Sequence, residues 1–107
     1  MANRFGTDIL IQSPDPKAAA AFYVDVLGFA INEESKTLIS LLGPSINLFI
    51  EKGPALGPVL EVCVADVEAT KAAIVATGGH ILKDEPHVPR CYVQDPHGLI
   101  YNLARQP

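Results

Sequence analysis

The chain has 107 residues, 49% apolar and 19% charged, with a formal net charge of −4. That composition suits one folded domain and excludes disorder as the main state. No stretch reaches the ~18 uninterrupted apolar residues of a membrane span. No apolar h-region follows the N-terminal Met-Ala-Asn-Arg-Phe-Gly, which points to a cytoplasmic protein. The basic residues are scattered from Arg4 to Arg105, so neither nucleic acid nor a membrane surface is an expected partner. Cys63 and Cys91 sit in apolar, β-rich stretches and read as buried thiols rather than a disulfide, and no zinc spacing exists.

In chain order, alternating apolar residues predict a strand over 6–13. Asp15 then offers a carboxylate to the free N–H groups of a helix start, and Pro16 suits the first helical position. The alanine-rich helix carries Ala19, Phe22, Tyr23 and Val26 as its apolar stripe and stops at Gly28. Strands follow over 29–33, 36–42 and 46–51, with Gly43-Pro44-Ser45 as a turn. Residues 52–58 read as a linker. The order then repeats: a strand over 58–64, a helix capped by Asp66 and stopped at Gly78-Gly79, and strands over 80–84, 90–94 and 99–104. An offset of 51 pairs Asp15 with Asp66, Gly28 with Gly79, and Ile9 with Leu60. The result is βαβββ twice, an α+β domain.

Three stretches resemble the vicinal oxygen chelate superfamily of glyoxalases, bleomycin-resistance proteins and extradiol dioxygenases. They are Asp15-Pro16…Phe22-Tyr23…Val26-Leu27-Gly28-Phe29, then Asp66-Val67 with Gly78-Gly79, then Tyr92-Val93-Gln94-Asp95-Pro96-His97-Gly98. The resemblance spans the chain and implies a single domain over 1–107. Its two modules, 6–51 and 59–104, would curl a mixed sheet into a cup. It also implies a two-fold homodimer, with the cup closed within one chain or across the pair.

Metal-dependent members of that superfamily seat one ligand at the start and one near the end of each module. Counting from the motifs places those seats at Asp8, Phe49, Val59 and Asn102. Phenylalanine and valine have no ligand atoms, asparagine is a weak ligand, and Asp8 alone cannot hold a divalent ion. A slip of one residue brings in Ile9, Leu60, Leu103 or Tyr101. A slip of two in the first module brings in Glu51, still one good ligand. The resemblance therefore implies no metal and no other cofactor.

Strand alternation gives a mixed cup lining of Asp8, Leu10, Gln12, Asn47, Phe49, Glu61, Ile100 and Asn102, and the strand register that the resemblance implies adds Arg90 and Tyr92. Glu61 and Asp8 are the candidate general bases; otherwise Glu61 pairs with Arg90, and Asp8 is a solvated strand end. Arg90 suits a carboxylate or phosphate, and Tyr92 and Phe49 suit a flat ligand or plain core. His87, in the 85–89 loop, could lip the pocket; His97 reads as exposed, and His80 starts a strand after the helix stop.

The leading function is a metal-free binder of a small molecule, an antibiotic or metabolite, of the bleomycin-resistance type. The alternative is an enzyme (lyase, isomerase or dioxygenase) with a non-standard or metal-independent site. A structural role with a pocket filled by its own side chains is the third reading.

Overall fold

The computed structural model describes residues 3–88 and 90–106. Pro89 of the 85–89 loop and the first two residues of the N-terminal stretch lie outside them. The described residues form two compact units: Thr7–Pro58, and the segment through Gly6 together with the chain from Val59 onward.

The first module holds β1 (Arg4–Ser13), α1 (Pro16–Leu27), β2 (Ala30–Glu34), β3 (Leu38–Leu42) and β4 (Asn47–Lys52). Its strand order is β2-β3-β4-β1, with β1 parallel to β4 and the other neighbours antiparallel. The second holds β5 (Leu56–Val64), α2 (Val67–Ala76), β6 (His80–Glu85), β7 (Arg90–Gln94) and β8 (Ile100–Arg105). Its order, β5-β8-β7-β6, repeats the same pattern, with β5 parallel to β8. This is the α+β, twice-βαβββ fold expected from the repeat. Residues 56–58, read as linker, are already strand.

Local chemistry sets the helix ends. Asp15 accepts from the Ala18 N–H at 3.2 Å and Asp66 from the Ala69 N–H at 3.0 Å. Gly28 takes the left-handed conformation, φ 81°, and its N–H and that of Phe29 close the last turn of α1. The helix stripe differs from the expectation. Ala20 is buried and Ala19, Tyr23 and Val24 pack beside it, whereas Phe22 and Val26 are 52% and 62% exposed. The segment is apolar almost all round, so its pattern admits more than one stripe, and packing on the sheet selects the one containing Ala20 and Val24.

Each module buries one sheet face under its helix. In the first, Ile39, Leu41, Leu48 and Ile50 meet Ala20, with Ile9 and Ile11 packed against them. In the second, Val62, Val64, Cys91, Val93 and Leu103 meet Ile74. The opposite face of each sheet, free of its helix, carries the alternate residues.

Candidate functional site

Five expected lining residues share the helix-free face of the first module. Register pairs Asp8 with Asn47, Leu10 with Phe49 and Gln12 with Glu51. Asn47 Nδ2 donates to Asp8 Oδ1 at 3.1 Å, and Gln12 Nε2 to Glu51 Oε1 at 3.0 Å. Both carboxylates are thus oriented by an amide on the neighbouring strand. Phe49 continues the row toward Ser40, where β2 bulges between Ile31 and Glu33. A bulge sets two residues against one and re-aims side chains. Here it brings Asn32 Nδ2 to Ser40 Oγ at 3.2 Å. Asn32, Glu33, Leu38, Ser40 and Phe49 are among the residues lining a cavity of about 290 Å³.

The other five lie on the helix-free face of the second module. Val59 pairs with Ile100, and Glu61 with Asn102, which pairs in turn with Tyr92. A second bulge, between Ile81 and Lys83, sets Lys83 against Tyr92. The Lys83 ammonium and the Arg90 guanidinium stand 5.9 and 5.4 Å from the centre of the buried Tyr92 ring. The Arg90 guanidinium reaches the Glu85 carboxylate at 3.4 Å. Glu61 lies against Gly6, where a Cβ would overlap its carboxylate. Glycine at position 6 therefore makes the room that Glu61 occupies.

Asn102 has a structural task. Its Oδ1 accepts the Cys91 backbone N–H at 2.9 Å, one residue beyond the last β7–β8 pair. The Cys91 thiol faces the helix and burial pushes its pKa up; Cys63, also buried and unoxidised, sits on strand β5 in the alternate set. His80, His87 and His97 are all exposed. The His97 N–H donates to Asp95 Oδ1 at 2.9 Å within its turn.

The counted metal seats are equivalent in register. Asp8 lies two residues before Leu10, the partner of Phe49, and Val59 lies two before Glu61, the partner of Asn102. Their chemistry does not fit a divalent ion. Phe49 and Val59 lack donors, and the Asn102 oxygen is taken by a backbone N–H. Among the described residues, no group of three His, Cys, Asp or Glu side chains could hold a metal.

Sequence reasoning missed Asn32, Glu33 and Lys83. No glycine or proline marks either bulge, so the alternation gave no sign of the shift.

Residues 8–104 match the model of the glyoxalase-like domain family. Solved structures with the same fold include a glyoxalase/bleomycin resistance protein/dioxygenase superfamily member from Vibrio splendidus 12B01. It is 18% identical, with a TM-score of 0.64, and the match covers 96% of this chain and 100% of that one. A hypothetical protein from Bacillus halodurans C-125 is 13% identical, with a TM-score of 0.62, over 100% of this chain and 96% of that one. Homoprotocatechuate 2,3-dioxygenase from Brevibacterium fuscum, solved with 3,4-dihydroxyphenylacetate, is 25% identical with a TM-score of 0.64. There the match covers 96% of this chain but only 36% of the dioxygenase. No curated protein matches the chain.

Proposed function

The chain belongs to the glyoxalase-like domain family, and within it we propose a metal-free protein that binds a small organic molecule. The observation that carries this reading is the donor set at the four seats: one carboxylate, one committed amide and two hydrocarbon side chains. Metal chemistry in such a site polarises oxygen atoms of the substrate, and among the described residues the four seats offer no donor set to support it.

The helix-free faces supply what a ligand needs instead. Phe49 and its neighbours wall a cavity near the lower end of the size range for small-molecule sites. Asp8, Glu33 and Glu51 offer acceptors in the first module, and Lys83 and Arg90 offer donors in the second. Exposed Phe22, Val26 and Leu27 support a two-fold homodimer as the working form. Sedimentation at twice the chain mass is the expected result.

The test of function is a thermal-shift series. Nickel, cobalt, manganese, iron(II) and zinc are each compared with chelator, and a panel of aromatic and cationic metabolites is then screened. A ligand at a hundredfold excess over Kd adds about 2.7 kcal/mol of stability, which a melt resolves easily. The proposal expects shifts from organic molecules and none from metals. A selective rise with one metal would overturn it and favour the enzymatic alternative.

A further inference from the structure

The compact unit Thr7–Pro58 contains three basic residues, Lys17, Lys36 and Lys52, against six carboxylates. All three lysines line a single cleft of about 320 Å³. Lys17 comes from the first turn of α1, Lys36 from the turn between β2 and β3, and Lys52 from the end of β4. The fold thus gathers the three lysines of this acidic unit at one place. The cleft also reaches Ile39, whose side chain belongs to the core under α1. It therefore lies on the helix side of the sheet and shares only Ser35 with the lining of the Phe49 cavity.

The local electrostatics are unbalanced. Lys17 stands at the positive end of a helix whose first turn has no acidic residue, a placement the helix dipole disfavours. Its one ion pair, with Glu34 at 3.5 Å, joins two exposed side chains and is weak. Among the described residues Lys36 and Lys52 have no ion pair. The Asp15 carboxylate at the cleft edge is turned onto the Ala18 N–H. The helix terminus is thereby already capped.

We propose that this cleft is an anion site that takes a small oxyanion of two or more negative charges. Three ammonium groups on flexible stems act as point-charge donors to phosphate or carboxylate oxygens. The cleft, of about 320 Å³, is large enough for a diphosphate or a tricarboxylate.

The experiment uses the full chain with sodium pyrophosphate or sodium citrate, each against sodium chloride at matched ionic strength. Melting temperature and backbone amide shifts are the readouts. Pyrophosphate is expected to raise the melting temperature above the chloride control and to move the amides of Lys17, Lys36 and Lys52. The double variant Lys36→Gln/Lys52→Gln removes two exposed charges and is expected to bind about tenfold more weakly. Its melt without anion checks that it folds; Lys52→Gln alone, with a smaller loss of affinity, serves if it does not. Citrate matching pyrophosphate supports the site as a reader of charge, and pyrophosphate alone supports it as a phosphate site. No shift beyond chloride for either anion, or an equal shift in the double variant, overturns the proposal.

Discussion

Replacing Asn102 by leucine separates a ladder cap from a ligand seat. The β7–β8 ladder pairs Gln94 with Ile100, Val93 with Tyr101 and Tyr92 with Asn102, and there it ends. The next N–H, that of Cys91, belongs to a residue only 5% exposed and is bonded by Asn102 Oδ1 at 2.9 Å. Leucine keeps the volume and removes the acceptor. A buried N–H left without a partner costs about 1–3 kcal/mol. For a domain of this size each kcal/mol lowers the melting temperature by roughly 4–8 °C. A cost of about 2 kcal/mol therefore predicts a fall of roughly 8–16 °C, with faster hydrogen exchange at the Cys91 amide. Asn102→Asp retains an acceptor at the same place, so its melt at neutral pH is expected to stay near that of the parent. It is also expected to gain no response to nickel or zinc, because Phe49 and Val59 still supply no donor. An Asn102→Leu protein that melts with the parent, its Cys91 amide as protected as before, would refute the structural reading of this residue.

Gly79→Ala is expected to destabilise by about 1–3 kcal/mol in chemical denaturation. Its Cβ would stand 2.7 Å from the Gln94 carbonyl oxygen and closer still to Ile74. Ile50, fully buried, is expected to cost about 2–5 kcal/mol when cut to alanine, whereas Ala21→Ser on the exposed side of α1 should change stability little. Equal losses at the two positions would refute the helix orientation. Burial raises the Cys91 and Tyr101 pKa values, and Asp84 and then Glu68 raise that of Lys71. Each group binds its proton more tightly folded than unfolded. Stability is therefore expected to hold at neutral pH and to fall as pH rises beyond about 8.5, where an unfolded thiol ionises. Melts from pH 7 to 10 check this, and Cys91→Ala should flatten the first part of the decline.

Much of the fold is legible because it is written in short-range chemistry. The caps at Asp15 and Asp66, the stop at Gly28 and the turn at Asp95 use residue types that act within a few positions of themselves. Strand alternation separates helix-facing from helix-free residues within β1, β4, β5 and β8, where pairing is regular. It fails at Asn32, Glu33 and Lys83, where a bulge shifts the register. The lysine cleft was illegible for another reason. Its members look scattered along the chain, and they meet only because one end of the module gathers a helix start, a turn and a strand end.

The two modules keep one backbone plan and have exchanged its chemistry. The bulge of β2 carries Glu33 at the position where that of β6 carries Lys83. The central pair is Leu10–Phe49 in one and Glu61–Asn102 in the other. Val59, the counterpart of Asp8, is only 2% exposed. A carboxylate there would need a partner to offset its desolvation. Asn102, the counterpart of Phe49, holds a strand end in place. Positions that could seat a ligand atom in a metal-dependent relative have thus become part of what stabilises this chain. Single substitutions toward a metal site would destabilise the second module before completing a donor set. Glu33, exposed beside the β2 bulge, is expected to tolerate substitution with little effect on the core.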